Sequence, residues 1–141
     1  MDEITRLATS RYLLVTTFRK DGRPVPTPVW AARDGDSLLV GSAADAGKVK
    51  RIRRDGAVQL APCTVRGVPT GAEVPASAVL LDADGSERAR RLIARRYGLV
   101  GQLAMLGSRL RRGRHGTVGI RLTVSDHRSE DATGAGPTDR R

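Results

Sequence analysis

The run Arg11-Tyr-Leu-Leu-Val-Thr-Thr-Phe18, the Asp21-Gly22 pair after it and Arg23-Pro-Val-Pro-Thr-Pro-Val-Trp30 beyond decide the fold. A short stretch so rich in β-branched and aromatic residues suits a strand. Asp-Gly between two strand-like runs signals a hairpin, because the central residues of that tight turn need positive φ. Residues 25–32 read as the second strand, with Pro24, Pro26 and Pro28 each lacking a ladder donor and pushing it to an edge. Another turn at Asp34-Gly35 leads into a third strand, Ser37 to Ser42, so the opening is a β-meander. Residues 57–63 and 72–81 supply a fourth and a fifth. Val118, Ile120, Leu122 and Val124 alternate with Gly119, Arg121 and Thr123, and this period of two predicts a sixth strand.

Two segments are helical. In residues 44–55, Val49 and Ile52 stand three apart, with Asp45 as a cap. A longer helix starts near Asp84-Gly85-Ser86-Glu87 and runs to about Met105, its stripe formed by Ala89, Leu92, Ile93, Tyr97, Val100 and Leu103. Arg88, Arg91 and Arg95 read as its solvated face. Arg109, Arg111, Arg112 and Arg114 read as a basic loop before the last strand. The expected fold is therefore mainly β, with one long and one or two short helices and a six-stranded antiparallel barrel. It fills residues 1–124. From Ser125 to Arg141 the chain has no periodicity, which predicts a disordered tail.

At 141 residues, 39% hydrophobic and 28% charged, the chain suits one globular domain. No apolar run approaches the ~18 residues of a membrane span, and the N-terminus lacks a secretory pattern. The expectation is a cytoplasmic protein with no membrane partner. Cys63 is the only cysteine, so no intrachain disulfide forms, and it cannot build a metal cage with His115 and His127. A net charge of +10 favours anionic partners. All but Lys20, Lys48 and Lys50 of the 25 basic residues are arginine, a coding bias that leaves local clusters as the informative signal.

Side-chain acid–base chemistry has few candidates. His115 lies in the arginine-rich loop, His127 at the head of the tail, and Cys63 reads as a small buried filler. No catalytic side chain is assigned, so an enzyme of this sequence would take its chemistry from a cofactor. Gly47-Lys-Val-Lys-Arg-Ile-Arg-Arg54 is the best anchor for one. With Val49 and Ile52 turned inward, Lys48 and Arg51 share one flank, Lys50 and Arg53 the other, and Arg54 points furthest out. The Lys48 and Arg51 flank can close on a phosphate beside Ser42 and the first free helix amides. A solvated basic face is the competing reading. The stiff segment ending at Trp30 can carry a flat ring along its edge, or Trp30 can simply belong to the core.

Leu13-Leu-Val-Thr-Thr-Phe18, Asp21 to Trp30, Gly47-Lys-Val-Lys-Arg-Ile-Arg-Arg-Asp55, Val58-Gln-Leu-Ala-Pro-Cys63 and Arg66-Gly67, in this order, resemble the flavin- and deazaflavin-dependent split-barrel oxidoreductases related to pyridoxamine 5'-phosphate oxidase. Within them the chain is most similar to the small actinobacterial "PPOX class" that uses coenzyme F420, over residues 7–124. The resemblance implies a split barrel, a homodimer with cofactor sites at the interface, and hydride transfer between the reduced deazaflavin and an electrophilic organic substrate. It places the cofactor phosphate on Lys48 and Arg51, with Ser42 and Lys50 nearby, and the ring along Pro28, Val29 and Trp30. Flavin mononucleotide is the alternative cofactor, and a carrier without turnover is a further alternative. A nucleic-acid-binding barrel has too few aromatics for a stacking platform in Tyr12, Phe18, Trp30 and Tyr97, so no nucleic-acid partner is expected.

Overall fold

The computed structural model describes residues 2–112 and 116–125, the side chains of 99–112 excepted. In chain order the elements are α1 (Glu3–Thr9), β1 (Tyr12–Phe18), β2 (Pro24–Val29), β3 (Ala31–Asp34), β4 (Ser37–Ala43), α2 (Gly47–Arg54), β5 (Ala57–Cys63), β6 (Val74–Leu80), α3 (Ala83–Arg112) and β7 (Thr117–Val124). The described strands form one antiparallel sheet in the order β2-β1-β5-β6-β7-β4-β3. Its two edge strands, β2 and β3, are consecutive in the chain and separated only by Trp30. The sheet therefore curls round until its edges face each other across a seam.

Seven strands stand where six are expected. The stretch read as one strand over residues 25–32 breaks at Trp30, with β2 pairing to β1 and β3 to β4. Tyr97 makes the break: its hydroxyl accepts the Ala31 N–H at 3.2 Å, and its ring stacks on Trp30 at 4.6 Å. The hairpin at Asp21-Gly22 is present, but its loop is wider than a two-residue turn. Arg19 N–H bonds the Arg23 carbonyl at 2.9 Å, and Gly22 alone of the described loop glycines there takes a positive φ, 91°.

The three prolines alternate along β2, opposite Phe18, Thr16 and Leu14. In an antiparallel strand the N–H and C=O of one residue point to the same side, so Val25, Thr27 and Val29 supply the bonds to β1. The outer edge of β2 consequently presents the carbonyls of Pro24, Pro26 and Pro28 without N–H donors.

Leu13, Val15, Leu38, Val40, Val58, Leu60, Ile120 and Leu122 fill the barrel, and Val49 and Ile52 of α2 close one end. β4 is buried on both faces because α3 covers its outside, which removes the alternation a half-exposed strand would show. The stripe of α3 is as expected for Ala89, Ile93 and Tyr97, which are buried, and Leu92, which is partly so; Val100 and Leu103 lie outside the described side chains. Close approach of α3 to β7 needs Gly119, where an added Cβ would stand 2.9 Å from the Ser86 Cα and 3.1 Å from the Ala89 Cβ. Gly119→Ala is expected to cost about 1–3 kcal/mol, read as a lower denaturant midpoint at unchanged slope.

Several expectations are corrected. α3 starts at Ala83, just ahead of the expected Asp84-Gly85-Ser86-Glu87, and Asp82 caps it by accepting the Gly85 N–H at 2.8 Å. The helix does not stop near Met105 but bends at Gly98 (φ 65°) and continues, so Arg109, Arg111 and Arg112 are helical instead of forming a loop; Arg114 and His115 lie outside the described residues. A first helix, α1, precedes β1, with Asp2 accepting the Thr5 N–H at 2.9 Å and Leu7 as its buried anchor. The expected tail lies outside the described residues except for Ser125, whose N–H still bonds the Pro75 carbonyl at 3.1 Å. No described helix is long and apolar enough to cross a membrane.

Far from α2, Asp34 accepts Arg88 Nη2 at 2.8 Å and Arg121 Nη2 at 3.3 Å. The Arg88 bond, followed by the charges of Arg88 and Arg121, holds its carboxyl below the ordinary value of 3.8. Such a group adds stability above the unfolded value and loses it as pH falls through the folded one. Asp34→Asn should therefore destabilise at pH 7 and converge with the wild type as pH falls through the lowered value of the Asp34 carboxyl, as denaturant titrations at neutral and acid pH will show.

Candidate functional site

A short helix at the seam gathers the charges. Val49 and Ile52 point α2 into the barrel end, and the i,i+3 spacing then sends Lys48 and Arg51 along one flank. Lys48 Nζ donates to Ser42 Oγ on β4 at 3.0 Å. Arg51 Nε donates to Thr17 Oγ1 on β1 at 2.6 Å. β1 and β4 each lie one strand in from opposite edges of the sheet, so the two cations span the seam.

The first turn of α2 is left open to an anion. Asp45 does not cap it: the cap position is Ala46, which offers no side-chain bond. The Val49 and Lys50 N–H groups bond the Ala46 carbonyl, whereas the N–H groups of Gly47 and Lys48 have no acceptor among the described residues. Gly47 matters here by its lack of a side chain, since a Cβ would sit 2.8 Å from Arg51 Nη1. The Arg51 guanidinium thus folds back over the positive end of the helix.

No carboxylate offsets this charge. Lys48 and Arg51 have no ion-pair partner among the described residues. Burial, and next the charge of Arg51, push the Lys48 ammonium below the ordinary lysine value. Arg51 is lowered first by burial and then by Arg19 and Arg54. Two desolvated cations, two open amides and the Ser42 and Thr17 hydroxyls suit a phosphate or carboxylate.

Of the expected site residues, Ser42, Lys48 and Arg51 come together. Lys50 does not join them; it is exposed on the opposite flank. Arg54, read as the outermost side chain, instead turns toward the β1–β2 hairpin and donates to the Phe18 carbonyl. Pro28 is exposed on the outer edge of β2, Val29 is half-buried against the barrel core, and Trp30 is half-buried with one indole face taken by Tyr97. Pro28 and Val29 point to opposite sides of their strand, so a ring in this region can meet the strand edge but not both side chains. Leu14, opposite Pro28, lies three residues from Thr17, which puts the edge about 10 Å from the cation pair along β1.

Thr17 and Tyr97 escape the sequence reading as site residues. The Tyr97 hydroxyl donates to the Arg11 carbonyl at 2.7 Å, and its ring lies between Trp30 on one side and the guanidinium groups of Arg96 and Arg11, 5.0 and 5.4 Å from its centroid. Tyr97 thereby ties α3 to the point where β2 becomes β3. The phenol is raised above its ordinary value mainly by burial.

A curled antiparallel sheet with an anion-ready helix across its seam defines a split-barrel protein. The family model described as pyridoxamine 5'-phosphate oxidase matches residues 2–129, and the chain belongs to that family. Among solved structures it is similar to HutZ, the heme storage protein of Vibrio cholerae, at 14% identity and a TM-score of 0.63, covering 88% of this chain and 89% of that one. A conserved hypothetical protein of Mycobacterium tuberculosis is similar at 18% identity and a TM-score of 0.61, over 96% and 91% of the two chains. An F420 reductase is similar at 17% identity and a TM-score of 0.59, over 89% and 96%. No curated protein matches by sequence.

Proposed function

We propose that this chain is an oxidoreductase that binds reduced coenzyme F420 and transfers a hydride to an electrophilic organic acceptor. The observation that carries the reading is the uncompensated pair Lys48 and Arg51 over the open first turn of α2. A pair so placed is a cost to the apo fold and a benefit once an anion arrives. The cofactor phosphate would be held there, with Ser42 and Thr17 orienting the two cations. Its ring would follow the seam toward the outer edge of β2, where only acceptors are offered.

When bound, the deazaflavin supplies the hydride. The residues of the chain bind it, orient it and shield one of its faces. Their contribution to rate is positioning, the part of catalysis that a stiff proline-rich edge and a Tyr97-locked corner serve well. Support for a deazaflavin comes from the sequence resemblance and from an F420 reductase among the structural neighbours. Family members bind flavins such as flavin mononucleotide, which presents a similar ring and phosphate and is therefore the second reading.

Proteins of this fold commonly dimerise, and we expect a homodimer here. Val65 and Val68, 60% and 58% exposed in the loop that crosses Leu14 and Pro28, are apolar surface that a second copy would cover. Oxidised F420 and flavin mononucleotide, titrated separately and followed by cofactor fluorescence, decide the cofactor. Tighter binding of F420 is the expected result; exclusive binding of flavin mononucleotide transfers the reading to a flavin enzyme, and binding of neither sinks both.

A further inference from the structure

The outer edge of β2 is one-sided in its hydrogen bonding. Pro24, Pro26 and Pro28 hold its outward positions and are exposed, whereas the backbone polar groups of Val25, Thr27 and Val29 turn to β1. Each proline leaves a carbonyl and no N–H on that side. No described strand pairs with this edge, and no described group donates to the three carbonyls. Recurring at every second residue, they form a row of acceptors about 6.5–7 Å apart.

The row begins beside the anion site. Val25 lies opposite Thr17, which accepts Arg51 Nε at 2.6 Å, so Pro24 and Pro26 flank the cation pair and Pro28 lies further along the strand. Across the seam the edge of β3 is already occupied, since the Tyr97 hydroxyl accepts the Ala31 N–H and Arg96 Nη1 donates to the Ala31 carbonyl. A ring whose phosphate sits on Lys48 and Arg51 therefore meets carbonyl oxygens along β2. Such oxygens bond a ring N–H and repel a ring acceptor. Two-electron reduction of a deazaflavin adds a hydride at C5 and a proton at N1, which turns N1 from an acceptor into a donor. Turnover reverses both changes: the hydride passes from C5 to the organic acceptor, which takes a proton from solvent, and the N1 proton returns to solvent.

We infer that the carbonyl row of Pro24, Pro26 and Pro28 discriminates between the redox states of the bound ring, accepting the N1–H of the reduced form and repelling the bare N1 of the oxidised one. This rests on the cofactor reading above and adds a direction to it. The loaded hydride donor is taken up in preference, and the spent cofactor is released. The phosphate is the same in both forms, so Lys48 and Arg51 hold the cofactor without sensing its state. Hydrogen bonds to ring nitrogens are one of the means by which a protein tunes such a cofactor, and here backbone carbonyls alone supply them.

Replacing one of these prolines by alanine keeps its carbonyl and sets an N–H beside it, so Pro26→Ala/Pro28→Ala makes two acceptor-only positions mixed. Both side chains are exposed. Dissociation constants of oxidised and reduced F420 are measured by calorimetry without oxygen on the full chain, and the midpoint potential of the bound cofactor by spectroelectrochemistry. The wild type should bind the reduced form about 10-fold or more tightly, which raises the midpoint by about 30 mV for two electrons. The double variant should lose most of that preference, chiefly by binding the oxidised form more tightly, and each single variant should lose part of it. Thr27→Ala, which changes no donor on the edge, should keep it. Equal affinity of the wild type for the two forms overturns the inference and leaves the cofactor reading standing. So does a preference that survives in the proline variants, or one that Thr27→Ala removes as well. Binding of neither form overturns both. Exclusive binding of flavin mononucleotide transfers the comparison, with the same criteria, to its own two forms.

Discussion

Lys48→Glu is expected to weaken cofactor binding severely and to leave the fold intact. The substitution removes a charge-assisted contact, typically about 1.5–3 kcal/mol, and sets a carboxylate against the incoming phosphate. Together these amount to about 3 kcal/mol or more, so a fluorescence titration should register a loss of roughly 100-fold or greater. Stability should move the other way or not at all. The ammonium is half-buried beside a guanidinium with no acid to offset it, and a glutamate there would meet Arg51 as an opposite charge. A variant more resistant to denaturant than the wild type yet unable to bind is the signature of a site that trades stability for function. If Lys48→Glu binds as tightly as the wild type, the phosphate does not sit on α2. The wild type should also bind more weakly as pH rises into the alkaline range. Its ammonium, lowered by burial and by Arg51, releases its proton before an ordinary lysine would, and the neutral amine attracts no anion.

Tyr97→Ala should be the most destabilising of the site-flanking substitutions, by about 3–5 kcal/mol. It deletes a buried ring that stacks on Trp30 at 11° and sits beneath Arg11 and Arg96. It also removes the acceptor for the Ala31 N–H and the donor to the Arg11 carbonyl. Tyr97→Phe keeps the stack and loses only the hydroxyl, so its cost should be about 1–3 kcal/mol. Trp30 is the only tryptophan, which makes its emission a local reporter. Tyr97→Ala should shift that emission to the red as the indole face meets water, and Tyr97→Phe should not. Equal stability of both variants and the wild type would mean that the corner between β2 and β3 is held by something other than this residue.

The sequence discloses what short-range periodicity governs. Val118 to Val124 alternates and is a strand; Val49 and Ile52 stand one turn apart and orient α2, from which the Lys48 and Arg51 flank follows. Ser42 was legible because it lies near the end of the strand that precedes that helix. Contacts between distant residues were not. Nothing within residues 25–32 shows that the strand changes partners at Trp30, because the group responsible lies 66 residues from Ala31. Thr17 meets Arg51 across 34 residues, and Arg54 reaches Phe18 across 36. α1 offers one buried side chain, Leu7, too little for a periodic signal. The kink in α3 rests on Gly98, which sits in a pattern that otherwise continues as helix.

The proline alternation on β2 reaches beyond ligand binding. An added strand contributes donors and acceptors in equal number, and along this rim its carbonyls would find nothing to receive. Unfolded neighbours or nascent chains that could otherwise zip onto a bare sheet margin are therefore turned away, and the opening in the barrel stays accessible to small molecules without becoming a seed for fibrils.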